Sequence, residues 1–396
     1  MKKDLLLTTS FLILLLFWPV QAKEAGVPKE TTAAKPERLN TSSETNYLSQ
    51  LELRGFNLDA QGLRIESLDG STVLADHQSD IPFNPASVIK VATSFTALQR
   101  FGPEHRFETS FYSTGDFNPK TRILKGDLIL YATGDPILTP TDVTGLIRQI
   151  IRLGVTRVTG NLIIIGPFTY GNYYATPTAT KHLEALLRKM GVRVAGAGRG
   201  GSLRGTRLVS HTSSTLQDIL FNQNAHSNNQ TAERLGEAVG GPTAVEEFLV
   251  KVVGIPAADV HVGRASGLDY NRITPRDTVQ LFRELVRWLE ARHLEPENIL
   301  PVAGVDPGTL HRRFRSDDYR GAIVGKTGTL PSTDGGVSTL AGILYTRDRG
   351  PVVFAIFNTK GSVSIYRKLQ DNLLQSLILE CGGIPLINAS SRRSNN

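Results

Sequence analysis

Apolar and polar residues alternate along this chain with two different periods, and each period predicts its own kind of element. In LRIESLDGSTVLADH (residues 63–77), apolar and polar positions alternate on both sides of Asp69-Gly70, which predicts two strands joined by a turn. In DVTGLIRQIIRLG (residues 142–154), apolar residues recur every three to four positions and Gly154 follows them, which predicts a helix with one buried face. Strands and helices are both expected, so the fold belongs to a mixed class.

The order of these elements divides the body of the chain into three parts. Residues 46–113 predict strands followed by a helix, and residues 114–205 predict strands alternating with helices, which indicates a small α/β unit. Residues 206–385 begin with amphipathic helices and continue with three apolar strands, GAIVGKTGT, GVSTLAGILYT and PVVFAIFNT, before a last helix. Antiparallel strands packed against a closing helix predict an α+β sheet for this part.

The two ends of the chain have a different composition from its body. Basic residues at the start precede an apolar run from Leu5 to Val20 and a small residue, Ala22. This pattern predicts a secretory signal peptide over residues 1–22, with an uncleaved membrane anchor as the alternative. Residues 23–45 are polar and aperiodic and are predicted to be a linker, and residues 386–396 are predicted to be a disordered tail. We expect an exported protein of the bacterial periplasm or wall space.

Charge and cysteine content narrow the choice of partners. The chain has 396 residues, a net charge of +7 and a single cysteine, Cys381, which has no internal disulfide partner. A basic surface attracts polyanions, and no aromatic-basic motif of a nucleic-acid reader is present. The expected contacts are therefore anionic wall polymers or a membrane surface, with a solvated surface that has no specific partner as the alternative.

Two glycine-rich stretches and the histidines do not support a cofactor or metal site. Residues 196–201 match G-x-G-x-x-G but no helix is predicted after them, and GAIVGKT has three residues between its glycines where a phosphate-binding loop needs four. The histidines form no H-E-x-x-H pair, and one cysteine excludes a thiolate zinc site. We expect no cofactor and no metal.

One lysine lies in a segment that is otherwise apolar or small. In PASVIKVATSFTAL (residues 85–98), predicted as a buried helix from Ser87 to about Arg100, Lys90 follows Ser87 by one turn. Burial lowers the pKa of a lysine, and a neutral lysine can take the proton of a neighbouring serine hydroxyl. Ser87 is therefore a candidate nucleophile and Lys90 its base. The alternative is that Lys90 extends from a core helix to solvent while Ser87 only caps that helix.

Two later motifs favour the catalytic interpretation. Ser227-Asn228-Asn229 lies in a polar segment between two predicted helices, and Lys326-Thr327-Gly328-Thr329 lies on an apolar strand. The order S-x-x-K, S-x-N, K-T-G is the signature of the penicilloyl serine transferases.

Each motif residue has an expected role in such a site. Ser227 passes a proton towards a leaving amine, Asn229 holds the substrate amide, and Lys326 supplies a positive charge. The hydroxyls of Thr327 and Thr329 bind a terminal carboxylate, and Gly328 lets the strand backbone come close to the substrate.

With FNPASVIK, GDLILYATGDPILT, SNNQTAERLG, ASGLDYNRITP and GKTGTL in place, the chain from about residue 46 to 383 resembles a family. It is similar to the D-alanyl-D-alanine carboxypeptidase/endopeptidase family of class C low-molecular-mass penicillin-binding proteins. The resemblance implies a transpeptidase/β-lactamase-like domain, discontinuous over 46–113 and 206–385, with residues 114–205 inserted. It also implies acylation of Ser87, an oxyanion hole formed by the backbone N–H groups of Ser87 and Thr329, peptidoglycan stem peptides as substrates and β-lactam antibiotics as inhibitors.

The chain departs from the family pattern at a few positions. Arg264 stands where an acidic residue usually precedes the S-G-L element, Asp269 stands where a serine usually follows it, and an aspartate expected near Pro167 is absent. The alternatives left open are a β-lactamase or esterase on the same fold and a non-catalytic wall-binding protein.

Overall fold

The computed structural model describes residues 36–171 and 176–385. The predicted signal peptide and the predicted tail lie outside this range. Within it, no helix combines the length and the apolar character needed to cross a membrane.

Helices and strands are numbered here in chain order. The helices are α1 (Ser42–Glu52), α2 (Lys90–Phe101), α3 (Pro140–Arg152), α4 (Thr176–Lys189), α5 (Leu216–His226), α6 (Asn229–Val239), α7 (Pro242–Phe248), α8 (Pro275–Glu290) and α9 (Val363–Glu380). The strands are β1 (Glu37–Arg38), β2 (Gln61–Ser67), β3 (Thr72–His77), β4 (Glu108–Ser113), β5 (Phe117–Asn118), β6 (Ile123–Leu124), β7 (Leu128–Ala132), β8 (Arg157–Val158), β9 (Leu162–Ile165), β10 (Ala197–Arg199), β11 (Thr206–Thr212), β12 (His261–Val262), β13 (Asn271–Arg272), β14 (Ile323–Leu330), β15 (Val337–Thr346) and β16 (Gly350–Asn358). Short 3₁₀ turns span Leu58–Ala60, Ala86–Ile89 and Pro296–Asn298, and a π-helical turn spans Leu249–Val253.

A six-stranded sheet in the order β1-β3-β2-β16-β15-β14 forms the centre of the molecule. Its strands are antiparallel apart from the short parallel pair β1-β3. Every residue of β15 is buried, because helices cover both faces of the sheet. This explains why GVSTLAGILYT has almost no strongly polar residues. A strand in an antiparallel sheet with one solvated face would instead alternate apolar and polar residues. β14 lies at the edge of this sheet, next to the candidate site.

Alternate residues of the central strands face different cores. Leu340 and Phe354 belong to the core shared with α1 and α9, whereas Ala341 and Phe357 belong to the core shared with α2 and α8. Each fully buried Leu or Phe side chain of this kind contributes about 1.5–3 kcal/mol relative to an exposed one. This layered arrangement confirms the predicted mixed class, an antiparallel sheet flanked by helices.

A second sheet, in the order β10-β9-β7-β4-β11, forms a separate layer with α3 and α4. Its strands β4 and β11 pair antiparallel with each other, so the chain enters and leaves this layer on neighbouring strands. Both strands lie outside residues 114–205, the range predicted for the insertion. Alternating apolar residues are the same whichever sheet a strand joins, so the sequence pattern does not reveal this boundary.

The last residues of the predicted linker take part in the first sheet and in α1. Residues 37 and 38 pair with β3, and Thr41 caps the N-terminus of α1 by accepting a hydrogen bond from the Glu44 backbone N–H. Arg38 and Glu44 form an ion pair with an N–O distance of 2.8 Å. The pairing with β3 is long-range and the other two contacts are local and polar, so none of them produces the apolar periodicity that marks a helix or strand in the sequence.

The second layer contacts the rest of the described molecule at α6. Arg234 of α6 is buried and donates hydrogen bonds to the carbonyl oxygens of Pro136 and Leu138, each at 3.3 Å, and to that of Gly171. The Gly134-Asp135-Pro136 turn is thereby held against the helix that begins with Asn229. This turn is one of the sequence elements on which the family resemblance rests, and it has a structural role at this contact.

Candidate active site

Ser87 lies in the 3₁₀ turn that leads into α2. The preceding residue, Ala86, is buried and has a φ of 47°, a conformation that costs free energy for a residue with a side chain. A Cβ on Gly267 would meet the Ala86 carbonyl oxygen, so only glycine lets this turn approach the S-G-L element. The turn leaves Ser87 half-buried at the wall of a pocket.

Lys90, the first residue of α2, is fully buried. Its Nζ donates to three oxygens: Ser87 Oγ at 2.8 Å, Asn229 Oδ1 at 2.6 Å and the backbone oxygen of Ser266 at 2.5 Å. The alternative that this lysine extends to solvent is wrong, because its amine points inward at the candidate nucleophile.

The three partners of Lys90 differ in what they can do. A carbonyl oxygen only accepts hydrogen bonds, so Asn229 Oδ1 and the Ser266 oxygen take the two hydrogens of a neutral amine. The remaining lone pair then faces Ser87 Oγ, the one partner of the three that carries a proton. Burial lowers the pKa of Lys90 to about 7, although the negative charge of Glu233 opposes this shift. The arrangement can remove a proton from Ser87 near neutral pH.

The junction between α5 and α6 holds the second motif. Ser227 ends α5 in the left-handed conformation (φ 54°), Asn228 caps α6 through its side chain, and Asn229 is the first residue of α6. The three consecutive residues therefore form the chain reversal between the two helices. Their placement directs Ser227 towards β14 and Asn229 towards Lys90.

The third motif lies on the edge strand β14. Lys326 is fully buried, and its Nζ donates to Ser227 Oγ at 2.9 Å and to the Thr327 carbonyl oxygen at 2.7 Å. Burial, reinforced by the positive charge of Lys90, holds the pKa of Lys326 well below its usual value. Two buried lysines in one site repel each other when both are charged. The pair therefore favours states in which at most one of the two amines carries a positive charge.

The open edge of β14 offers backbone groups to a ligand. The Gly325 N–H donates outward to the Pro301 oxygen, away from β15. Because strand groups alternate with period two, the N–H groups of Thr327 and Thr329 point to the same open side. An unpaired edge of this kind can accept an extended peptide as an additional strand.

Gly328 packs closely against the turn that carries Ser87. A Cβ at this position would lie 2.6 Å from the Pro85 carbonyl oxygen and 2.9 Å from the Ala86 Cβ, and would also overlap Thr339 Oγ1. The absence of a side chain at Gly328 therefore makes room for the turn that carries Ser87. Because residue 328 has no side chain, the first and third motifs can lie in contact with each other.

The three motifs line one pocket with a volume of about 640 Å³. The residues that line it are Ser87, Ser227, Asn229, Pro307, Gly308, Thr309, His311, Arg312, Arg313, Thr327, Thr329 and Arg367. The basic side chains among them give this pocket a positive lining. Among the described residues, no cluster of three or more His, Cys, Asp or Glu side chains is arranged to hold a metal ion.

Sequence reasoning missed several groups at this site. The Ser266 carbonyl oxygen contacts Lys90, and Glu233 Oε1 accepts the Ser266 N–H at 3.2 Å. Thr309 accepts a hydrogen bond from Thr327 Oγ1 at 2.8 Å, and Arg367 donates to Thr329 Oγ1 at 2.8 Å. Only the S-G-L element gave a signal, as a marker of family resemblance.

The departures near that element are coupled in space. Arg264 and Asp269, which flank S-G-L, form an ion pair with an N–O distance of 3.0 Å, and both are exposed. The two departures from the family pattern thus form one ion pair at the surface.

Comparisons with known proteins agree with this geometry. The sequence profile of the D-Ala-D-Ala carboxypeptidase 3 (S13) family matches residues 46–165 and 174–375. A D-alanyl-D-alanine carboxypeptidase from an Actinomadura species is 32% identical over 182 residues, which cover 41% of this chain and 32% of that protein. One from Haemophilus influenzae is 27% identical over 103 residues, which cover 26% of this chain and 21% of that protein. The alignments thus span about a third or less of these two relatives.

Solved structures with low sequence identity share the fold. Penicillin-binding protein 4 from Haemophilus influenzae, in complex with a β-lactam, superposes with a TM-score of 0.67 at 21% identity, covering 85% of this chain and 99% of that one. A predatory endopeptidase from Bdellovibrio bacteriovorus, acylated by penicillin G, superposes with a TM-score of 0.64 at 20% identity, covering 82% and 93%.

The profile match spans well over half of the chain and includes all three motifs of the pocket. This confirms the resemblance drawn from the sequence, and the chain belongs to the D-Ala-D-Ala carboxypeptidase 3 (S13) family.

Proposed function

We propose that this protein is a serine D,D-peptidase that cleaves D-Ala-D-Ala termini or D-Ala cross-links of peptidoglycan through an acyl-enzyme on Ser87. The observation that carries the proposal is the position of the Lys90 amine, 2.8 Å from Ser87 Oγ with two obligate acceptors on its other sides. Membership of the S13 family supports the same activity.

Acylation begins at Ser87. Neutral Lys90 takes the hydroxyl proton while Ser87 Oγ forms a bond to the carbonyl carbon of the D-Ala residue. The negative charge that develops on the carbonyl oxygen is stabilised by the N–H groups of Ser87 and Thr329. The outward direction of the Thr329 N–H on β14 supports this role.

The C–N bond of the substrate then breaks, and the leaving amine needs a proton. Ser227 Oγ, held 2.9 Å from Lys326 Nζ, gives its proton to the nitrogen and regains one, so that the proton which Lys90 took from Ser87 ends on the amine and Lys90 is neutral again. Water then attacks the ester carbon while Lys90 takes one of its protons. The bond between Ser87 Oγ and the acyl carbon breaks, Lys90 returns this proton to Ser87 Oγ, and the shortened peptide is released as the acid.

The substrate is held by the open edge of β14 and by Asn229. With its Oδ1 bound to Lys90, the Nδ2 group of Asn229 is available to a substrate carbonyl. The hydroxyls of Thr327 and Thr329 bind the carboxylate of the leaving residue. A β-lactam ring presents the same acylating carbonyl, so we propose that penicillin acylates Ser87 and inhibits the enzyme.

The alternatives are a β-lactamase or esterase, and a non-catalytic wall-binding protein. Fast hydrolysis of a penicilloyl ester needs a base that activates water, and no Asp or Glu side chain is among those that line the described pocket. This favours a peptidase that retains penicillin over a β-lactamase. The buried, inward-facing Lys90 argues against a degenerate site.

We further propose that the protein acts outside the cytoplasm, in the periplasm or wall space where peptidoglycan lies. The basic start and the apolar run from Leu5 to Val20 support export. The net charge of +7 suits contact with anionic wall polymers or a membrane surface. Cell fractionation and N-terminal sequencing of the mature protein test the location and the cleavage after residue 22.

The activity is tested by digesting purified muropeptides and identifying the products by mass. We expect the loss of terminal D-Ala, or the splitting of cross-linked dimers, by the wild type and neither by Ser87→Ala. In parallel, a fluorescent penicillin labels the wild type and does not label Ser87→Ala. Folded wild-type protein that leaves muropeptides intact and is never labelled would exclude the proposal, whereas rapid turnover of a chromogenic β-lactam would favour a β-lactamase.

A further inference from the structure

The positive charge of this protein is concentrated beside the active-site pocket. Residues 311–320 and the first half of α9 (residues 363–371) contain six Lys or Arg residues and three Asp residues, a net charge of +3. The described residues together also carry +3, because residues 1–35 and residues 386–396 each account for +2 of the chain's +7. The remainder of the described molecule is therefore neutral on balance.

Arg313 joins these two segments into one surface. Its Nε donates to Asp371 Oδ1 at 2.7 Å, and one of its terminal nitrogens donates to the Arg367 backbone oxygen at 3.4 Å. Arg312 and Arg367 both line the pocket. The surface formed by residues 311–320 and 363–371, here named the basic face, thus begins at the mouth of the pocket.

Acidic side chains offset only part of the charge of the basic face. Asp371 pairs with Arg313 at an N–O distance of 2.5 Å. Burial raises the pKa of Asp371 and the charges of Arg313 and Arg367 oppose that rise, so this one carboxylate partly compensates both arginines. Three further cations of the face are exposed and form no ion pair within the described part of the chain: Arg312, Arg315 and Lys368.

The composition of the basic face suits an extended chain of phosphate groups. Five of its six cations are arginines, and guanidinium groups bind phosphate oxygens with paired hydrogen bonds. Cations spread over two segments match a series of negative charges better than one small anion. A membrane surface fits less well, because interfacial binding combines basic residues with an apolar face. Among the described residues of the basic face, Ile365 is the one large apolar side chain that is exposed, at 36%.

We propose that the basic face is a docking site for a linear phosphate polymer of the wall space. The inference rests on the proposed function, since an enzyme held on such a polymer stays close to the peptidoglycan that it cleaves. Arg315 and Lys368 do not line the pocket, so a polymer bound to them leaves the motif residues accessible. Docking then raises the local concentration of the enzyme at the wall.

The test measures binding of fluorescently labelled inorganic polyphosphate to the protein by anisotropy at several salt concentrations. The wild type is expected to bind, with an affinity that falls as salt screens the charges. The double variant Arg315→Gln/Lys368→Gln is expected to bind about tenfold or more weakly, because two contacts to phosphate groups are lost.

The matched control is Arg148→Gln/Arg152→Gln, which removes two exposed arginines from α3 in the second layer. It changes the net charge by the same amount and is expected to keep the affinity within about twofold, because non-specific attraction alone is reduced. Labelling of Ser87 by a fluorescent penicillin is expected to be unchanged in both double variants.

Three results would overturn the inference. They are a wild type that does not bind polyphosphate, equal losses in the two double variants, and stronger binding to phosphatidylglycerol vesicles that the Arg315→Gln/Lys368→Gln variant loses. The last result would assign the basic face to a membrane surface. A wild type that binds polyphosphate but is neither labelled by penicillin nor cleaves muropeptides would instead refute the proposed peptidase, so the two failures are distinguishable.

Discussion

The amine of Lys90 and the hydroxyl of Ser87 lie 2.8 Å apart inside the protein, and two carbonyl oxygens occupy the other directions around that amine. In this arrangement the buried amine of Lys90 faces one hydroxyl, that of Ser87, towards which it can act as a base. A charged ammonium in this place is disfavoured by desolvation, and a neutral amine has its lone pair aimed at the serine.

Replacement of Lys90 by methionine is expected to remove acylation while the fold is retained. The methionine fills a similar volume and removes a buried group that is costly when charged, although two carbonyl oxygens lose their donor. We expect the rate of labelling by fluorescent penicillin to fall about 10²- to 10⁴-fold. Circular dichroism shows whether the variant is folded, and labelling at the wild-type rate in a folded variant would remove Lys90 from the role of base.

The rate of acylation is expected to rise with pH through about 7. Lys90 acts as a base only when neutral, and burial lowers its pKa to about 7, so the neutral fraction grows from low to high pH around that midpoint. The charged groups that act on it are Glu233 of α6 and Lys326 of β14. Stopped-flow acylation by a β-lactam between pH 5 and 9 measures the profile. A rate that is flat over this range would contradict the assignment.

Glu233→Gln is expected to move that midpoint to lower pH. The carboxylate raises the pKa of Lys90 against the effect of burial, so its neutralisation lets the pKa fall further. Glutamine keeps an oxygen that can accept the Ser266 N–H, now bound by Glu233 Oε1 at 3.2 Å. Glu237→Gln, on the exposed face of the same helix, serves as the control. A merely structural role of Glu233 predicts a lower rate with an unchanged midpoint.

Gly328→Ala is expected to destabilise the protein and to impair labelling of Ser87 together. Its Cβ would lie 2.6 Å from the Pro85 oxygen and 2.9 Å from the Ala86 Cβ, so the turn that carries the nucleophile must shift. Overpacking of this kind costs about 1–3 kcal/mol.

Gly145→Ala, in α3, is the matched control for that substitution. Nothing lies within 4 Å of its added Cβ, and alanine in a helix interior is favoured over glycine by about 0.5–1 kcal/mol. Urea denaturation followed by fluorescence measures both changes. If Gly328→Ala is as stable and as readily labelled as the wild type, the close approach of the K-T-G strand to the Ser87 turn matters neither for stability nor for acylation.

Local patterns determined much of this protein from the sequence alone. Ser87 and Lys90 are one helical turn apart, so their proximity follows from helix geometry wherever the helix lies. The apolar runs of β14 to β16 and the glycine and proline punctuation around the helices similarly predict the elements, because these signals act within a few residues. The order of the three motifs then added the family and its expected chemistry.

Only the tertiary structure decided which groups complete the site and where the layers begin. The Ser266 carbonyl oxygen that accepts a hydrogen bond from Lys90 belongs to the backbone, which every residue has, so no residue type marks it. Arg367 approaches Thr329 from a helix 38 positions away, and β4 and β11 join the second sheet through mutual pairing. Such contacts depend on packing between distant segments, which hydrophobic periodicity does not encode. The sequence thus determined Ser87 and Lys90 as the proposed nucleophile and its proposed base. The packing of α6, α9 and the S-G-L element against them decided the direction in which the Lys90 amine points and the charge that lines the pocket.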